Sequence, residues 1–539
     1  MRGRLALWGL SALCIVGAGA GAAPNQGEMI YRQGMMPSGA ALTGERDRDT
    51  QVTGAEAACA KCHRRSGLGS SEGQIIIPPI TSQYLHRTRG RESARPDLRA
   101  ASGFIPSRKP YDAASLARAI RDGVDVSGRK LSYLMPRYKL GDADMAMLIA
   151  YLDDLARDPV PGVSDHTLHF ATIITPDSDP AKRQAMLDVL NQFFTDKNEF
   201  IRGGIRPMQA AGGVQFRVSR RWQLHVWELT GPSNSWGGQL DRRIASEPVF
   251  AVISGLGSRT WAPVHEFCER NRVPCLFPNT DMPVVAETDF YDVYFNKGVM
   301  LEAALIANDI RQRDRAAAKP RIVQIFRFDD IGAAAAAASA FAASAQRDGM
   351  ETISFALREA HPDSGLAQSL RQVRPSDIVV LWLREADIAA LPQIPAAADV
   401  YVSGLMANLE EAPLPPTWRI SARISYPFDL PDARKFRMNY PLAWMKIRHI
   451  ASVDERVQSN TYLACGILAE QLTSMQDDFV RDYLIERIED MLSHRVLSGF
   501  YPRLGLGPGQ RFASKGGYIV HFRESSGTQI AADTDWIVP

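Results

Sequence analysis

Cys59-Ala60-Lys61-Cys62-His63 decides how the first quarter of this chain is read. Two cysteines three residues apart share one face of a helix, so both sulfurs can meet the two vinyl groups of one porphyrin. The histidine that follows stands where it can ligate iron from the same side. This is the spacing of c-type haem attachment, and the expected cofactor is one covalent haem c. Two other readings compete with it. A thioredoxin-like redox pair wants a βαβ context, but Gly54-Ala-Glu-Ala-Ala58 precedes the motif and Arg64-Arg-Ser-Gly-Leu-Gly69 follows it. Half of a zinc site wants a second Cys/His cluster within reach, and the sequence offers none.

A sixth iron ligand is expected further along the same stretch. Met135 stands in Tyr133-Leu-Met-Pro-Arg-Tyr138, after the loop Gly123-Val-Asp-Val-Ser-Gly-Arg-Lys-Leu131. Pro136 disfavours helix at Met135, which places the thioether in an extended loop, free to point at iron. His86 is the rival ligand, and a buried gap-filler is the bland reading of Met135. Met145, Leu148, Ile149 and Leu152 fall at i, i+3, i+4 and i+7 and read as the core face of a helix. Thioether ligation raises the haem potential relative to bis-histidine ligation, which suits an electron carrier. Ligands that stay bound in both oxidation states leave no site for substrate, so transfer is expected rather than catalysis. An open-haem oxidase or peroxidase requires that Met135 not be a ligand.

The chain has 539 residues, 45% hydrophobic and 23% charged. These globular proportions exclude a disordered or fibrous chain and provide for about three or four lobes. Met1-Arg-Gly-Arg4, an apolar run over 5–16 and small residues over 17–23 have the layout of an export signal. We expect a signal peptide over 1–22, cut after Ala20 or Ala22, and a periplasmic mature protein. The apolar run is shorter than the about 20 residues that span a bilayer. A signal anchor is the rival reading, and Leu13 before Cys14 is too large for a typical lipobox. No membrane span is expected after cleavage, since the alanine-rich stretch 332–345 is short. Removing Arg2 and Arg4 leaves 60 basic against 60 acidic residues, a poor balance for a nucleic-acid binder. In an oxidising compartment Cys268 and Cys275 either pair, closing a loop worth roughly 2–3 kcal/mol, or remain two half-buried thiols. Cys465 lies in an apolar helical stretch and reads as core.

Residues 27–157 resemble a class I cytochrome c of the bacterial periplasmic type. The matching stretches are Ile30-Tyr-Arg-Gln-Gly34, the Cys59–His63 motif with Arg64-Arg-Ser-Gly67, Ile77-Pro-Pro-Ile80, Leu116-Ala-Arg-Ala-Ile-Arg-Asp-Gly123, Met135-Pro-Arg-Tyr138 and Asp144-Met-Ala-Met-Leu-Ile-Ala-Tyr-Leu152. The resemblance implies that the first helix leads into the haem motif and that the last helix packs against the first. It also implies that a proline carbonyl near Pro78 or Pro79 orients the His63 ring, fixing its tautomer. The segment 84–110 departs from the pattern by being long and basic. Arg87, Arg89, Arg91, Arg95, Arg99, Arg108 and Lys109 face only Glu92 and Asp97 there. It reads as a solvated loop or as a docking patch for an acidic redox partner.

Asp158-Pro-Val-Pro-Gly-Val-Ser-Asp165 is turn-rich, and 158–166 is the expected linker. Before it lies the cytochrome domain, 23–157, and after it a second module, 167–539. Strands are expected over 168–175, 224–229, 249–254, 273–277, 321–326, 352–356, 377–383 and 399–403. Helices are expected over 180–196, 299–311, 333–345 and 365–372. Such alternation argues for parallel sheets wrapped by helices, and the length for two lobes. No dinucleotide or phosphate-loop motif, nucleophile elbow or His-Glu-x-x-His is present, and His225, His265 and His449 form no ligand spacing. No catalytic constellation is expected.

The order of these elements resembles a type I periplasmic binding protein, the branched-chain amino-acid-binding kind used by ABC importers. The stretches that carry it are Leu229-Thr-Gly-Pro232, Glu247-Pro-Val-Phe-Ala-Val-Ile-Ser-Gly-Leu-Gly-Ser258, Asn271-Arg-Val-Pro-Cys-Leu-Phe-Pro-Asn-Thr280, Arg321-Ile-Val-Gln-Ile-Phe-Arg-Phe-Asp-Asp-Ile-Gly332 and Ser376-Asp-Ile-Val-Val-Leu381. Ligands of such folds sit in the cleft outside the carboxyl ends of the strands. The resemblance implies donors from Ser254, Ser258 and Thr280 for a carboxylate, and Asp330 or Asp329 facing an ammonium group or capping a helix. Pro176-Asp-Ser-Asp-Pro180 replaces the family's glycine-marked first loop. The fold expected is therefore multidomain: a small all-α class I cytochrome c domain followed by a two-lobed α/β periplasmic-binding-protein-like fold. The function expected is mono-haem electron transfer. The appended module would serve a small ligand, or a redox partner such as a dehydrogenase or another cytochrome. The alternative is a solute receptor or sensor of an ABC-type system, with the haem as redox reporter.

Overall fold

The turn-rich stretch after Tyr151 is where the chain divides: one unit ends at Asp158 and the other begins at Pro159. The computed structural model describes residues 25–46, 50–72, 75–86, 108–202, 220–286, 289–313, 321–328, 332–358, 362–393, 397, 399–408, 414–475, 478–495, 499–507 and 509–539. The expected export signal lies outside the described residues. So do Arg87, Arg89, Arg91, Arg95 and Arg99 of the basic segment, and Asp329 and Asp330 of the expected cleft.

The N-terminal unit carries helices α1 (Gln26–Gln33), α2 (Ala60–His63), α3 (Ser82–Leu85), α4 (Ala113–Asp122) and α5 (Asp142–Asp154). Short strands join them: β1 (Thr43–Arg46), β2 (Thr50–Thr53) and β5 (Arg137–Tyr138) form one antiparallel sheet, and β3 (Ser70–Glu72) pairs with β4 (Ile75–Ile77). Local sequence sets the helix ends. The Asn25 side chain accepts the Gly27 N–H at the start of α1, and Asp112 and Ser115 cap α4 reciprocally. Gly34 and Gly123 close α1 and α4 in the left-handed region, at φ 63° and 66°. Gly27 lets α1 meet α5 closely, for a Cβ there would lie 2.3 Å from the Met147 carbonyl oxygen. Met145, Leu148, Ile149 and Leu152 are buried with Ile30, Tyr31, Leu116 and Ile120 in one core. The helical period read from the sequence thus faces inward.

The C-terminal unit begins with a parallel sheet. Its strands are β6 (Thr167–Ile174), β7 (Arg221–Glu228), β8 (Ala251–Ile253), β9 (Leu256–Gly257), β10 (Cys275–Leu276), β11 (Asn279–Thr280) and β12 (Asp292–Val293). They run in the order β11-β9-β6-β8-β10-β12, with β7 also on β6. Helices α6 (Pro180–Arg202), α7 (Trp236–Ser246) and α8 (Ala262–Arg270) link these strands, and α9 (Val299–Arg313) leads out of the sheet.

A second sheet has the order β14-β13-β15-β16-β17-β18-β19. Strands β13 (Ile322–Arg327), β14 (Thr352–Leu357), β15 (Ile378–Trp382), β16 (Asp399–Ser403) and β17 (Ala422–Tyr426) are parallel, with α10 (Ala333–Arg347), α11 (Pro362–Leu370), α12 (Glu385–Ala389) and α13 (Pro416–Ser421) between them. The chain then makes α14 (Pro431–Ile447), α15 (Glu455–Met475) and α16 (Arg481–His494). It returns to the second sheet as antiparallel β18 (Tyr518–Phe522) and β19 (Ile530–Ala532). Helix α15 packs on α6, beside the first sheet. The alanines of α10 are there for close packing: Ala333, Ala337, Ala338 and Ala345 are buried with Phe341. No helix among the described residues is long and apolar enough to cross a membrane.

Candidate functional site

In the N-terminal unit Cys59 caps α2, and Cys62 and His63 lie in its single turn. His63 is 9% exposed, and its Nδ1 lies 2.9 Å from the Pro78 carbonyl oxygen. Nδ1 therefore donates, which leaves the lone pair on Nε2, and Nε2 meets no protein hydrogen bond among the described residues. Burial holds the imidazole pKa below its usual value, with the Pro78 bond opposing. A neutral ring with one nitrogen fixed and the other free is the form that binds iron. The Pro78 carbonyl reaches the ring because Gly69, at φ 76°, has no Cβ; one there would lie 2.1 Å from the Ile77 oxygen. Burial pushes the Cys59 thiol up to about 12, so it is a thiol rather than a thiolate.

Met135 is half-buried in the loop before β5, where Arg137 donates to its carbonyl oxygen at 2.5 Å. Tyr138, three residues on, donates its hydroxyl to the Ala57 carbonyl at 2.9 Å. The Met135 loop is thereby tied to the turn that enters the haem motif. His86 is placed differently. Its Nδ1 lies 3.0 Å from the Tyr111 carbonyl and its Nε2 2.7 Å from Asp153, whose hydrogen bond raises the imidazole pKa. Both nitrogens are occupied. Arg108, from the basic segment, donates to the Tyr84 carbonyl and lies over the Tyr111 ring. Cys59, Cys62 and the free Nε2 of His63 thus fit a covalent haem c.

In the C-terminal unit a small recess, with room for about one water, is lined by Asn279, Thr280, Asn296, Arg456, Asn460 and Tyr501 among others. Thr280 was expected there; the other five were not. Asn460 is 3% exposed, and its Oδ1 has no hydrogen-bond partner, although its Nδ2 donates to Asn279. Ser254 is not a lining residue. It is wholly buried, its hydroxyl lies 2.8 Å from that of Thr461, and it accepts from Asn279 Nδ2. Thr461 spends its own proton on the Val457 carbonyl, so Ser254 donates to Thr461. Thr461→Val should strand that proton and cost about 1–3 kcal/mol, read as a lower unfolding midpoint of this unit. An unchanged midpoint would show that the network does not tie α15 to β8. Ser258 is half-buried, and its carbonyl accepts from Arg384 at 3.1 Å. In the loop after β6, Ser178 bonds the Leu256 carbonyl and Asp179 caps α6, in place of glycine-lined contacts. Cys268 and Cys275 are both buried, thiol against thiol.

Residues 52–156 match the family model for cytochrome c. The N-terminal unit therefore carries a cytochrome c domain, which implies covalent haem c, and Cys59 and Cys62 lie within it. The rest of the chain has a periplasmic-binding-protein-like α/β fold. It is similar to the fatty acid ABC transporter substrate-binding protein of Thermomonospora curvata, at 15% identity and a TM-score of 0.52, covering 71% of this chain and 95% of that one. A leucine-binding protein from Thermotoga maritima matches at 14% identity and a TM-score of 0.49, covering 69% and 99%. A comparison with curated proteins returned no match.

Proposed function

We propose that this protein is an exported mono-haem electron carrier, with a binding module appended to the cytochrome. The observation that carries the reading is the His63 Nδ1–Pro78 bond, which prepares Nε2 as an iron ligand beside two cysteines at haem spacing. Haem c, when bound, supplies a one-electron ferric–ferrous couple. His63 and Met135 would hold its iron, and Pro78 fixes the imidazole. Iron held by both would have no open position for substrate, so the reading is electron transfer rather than catalysis. The redox partner is a protein such as a dehydrogenase or another cytochrome.

A second reading makes the chain a solute receptor whose haem reports redox state. The fold of the C-terminal unit, similar to that of an ABC transporter substrate-binding protein, favours it. Arg456 and Asn460 Oδ1 are polar groups at the recess that a small solute would meet. Intact mass spectrometry, native and then denaturing, separates these readings. It is made on protein exported from a host with haem-maturation machinery. A mature chain starting at Gly21 or Ala23 with one haem that survives denaturation supports the carrier. Loss of all haem mass on denaturation overturns the covalent assignment. An extra small mass, seen native and removed by denaturation, supports the receptor.

A further inference from the structure

Asp292 is the most anomalous carboxylate of the C-terminal unit. It sits on β12 with no exposed surface, and neither of its oxygens has a hydrogen bond of normal geometry. A bare carboxylate so placed is costly, and it calls for a partner. Its register partner on β10 is Cys275, and Cys268 comes from α8. The two sulfurs and a carboxylate oxygen all lie within 4.8 Å of one another, and all three residues are buried. The Trp261 indole N–H, which also lacks a hydrogen bond of normal geometry, faces the Cys275 sulfur. On the other side of Asp292, His265 brings Nδ1 to 3.5 Å, while its Nε2 lies 2.6 Å from Asp289. Glu269 accepts the backbone N–H groups of Phe290, Tyr291 and Asp292 and so fixes the segment that presents both aspartates.

We propose that Cys268, Cys275 and Asp292 hold a thiophilic divalent cation, zinc by its ligand chemistry. Two sulfurs and one carboxylate oxygen are ligands of the kind that zinc takes. The Trp261 N–H is suited to a thiolate sulfur. Binding displaces the thiol protons to solvent as the cation enters, so charge balances. The competing fate of the pair is a disulfide, which would release two protons and two electrons to an oxidant. It would leave Asp292 facing an S–S bond that offers it no donor, whereas a cation satisfies all three groups at once.

The test uses the full haem-loaded chain, expressed with zinc and dialysed. One zinc per chain beyond the haem iron is expected in native mass and elemental analysis. After denaturation with a chelator and no reductant, Cys268 and Cys275 should both alkylate. Asp292→Asn, close in shape, should weaken zinc binding at least tenfold while haem content stays the same. Two results overturn the proposal: a Cys268–Cys275 bridge that alkylates only after reduction, or two reactive thiols with no zinc retained. The wild-type measurement decides even if the variant fails to fold.

Discussion

Met135→Ala is expected to keep the haem and change its electronics. The thioether bonds come from Cys59 and Cys62, so denaturing mass should still show one haem. The oxidised protein should lose its sulfur-to-iron charge-transfer absorption. The potential should fall on the order of 100 mV or more, within the roughly 0.8 V range that axial ligands span. The direction follows from the donor: a soft thioether favours the ferrous state, and water or hydroxide in its place favours the ferric. His86 is badly placed to substitute, because Tyr111 and Asp153 occupy both its nitrogens. An unchanged spectrum and potential would remove Met135 from the iron and revive the open-haem oxidase reading. A thioether at Met135 also explains why its loop is anchored twice, by Arg137 on its own carbonyl and by Tyr138 on Ala57.

The haem motif was legible because covalent chemistry acts over five consecutive residues. Pro136 restricts its own neighbour, and Met135 lies in a loop rather than a helix, as the sequence implies. The orienting carbonyl could be narrowed only to two prolines, since choosing Pro78 depends on how Gly69 packs under Ile77. Strand positions in the second module were legible, but their ends were not. Residues 249–254 read as one strand, yet β8 spans only Ala251–Ile253. The Arg481 side chain takes the carbonyls of Val249 and Phe250, 231 residues and more along the chain, and occupies acceptors a ladder would use. Residues 273–277 shrink to β10 because Val273 closes the end of α8 on Cys268 and Phe277 turns to φ 54°.

The cavity was the least legible part. Its polar lining comes from segments around residues 280, 296, 456 and 501, with no local period or spacing to betray it. Ser254 illustrates the reason. Its loop has the residue types of a ligand-binding turn, and its neighbours along the chain do not disclose Thr461, which claims the hydroxyl from 207 residues away. Asp292 was missed for the same cause. An aspartate beside Val293 and Tyr294 reads as a strand residue until Cys268 and Cys275 are brought against it.

Glu302→Gln is expected to make the C-terminal unit more stable above neutral pH and to flatten its pH dependence. Glu302 lies on α9 with no exposed surface. Its Oε1 accepts the Leu405 N–H at 3.0 Å and the Ser425 hydroxyl at 2.9 Å, while Oε2 meets the Ser403 hydroxyl. Burial outweighs these bonds and pushes the carboxyl from 4.5 up to about 7. Between those pH values the folded chain keeps the proton and the unfolded chain has lost it. The unfolded state then binds fewer protons, so stability falls as pH rises. The contribution is whole below about pH 4.5 and gone above about 7, a change on the order of 3 kcal/mol. Glutamine copies the protonated acid: Nε2 can donate to Ser403 Oγ and Oε1 keeps its two donors. Denaturant unfolding followed by tryptophan fluorescence isolates this unit, because every tryptophan after Trp8 lies in it. The variant should match wild type near pH 4.5 and exceed it by up to about 3 kcal/mol at pH 8. Parallel stability curves across that range would show that Glu302 is ionised in the fold. The Ser403 hydroxyl would then donate to a carboxylate, and α9 would be held to β16 and β17 by a buried charge.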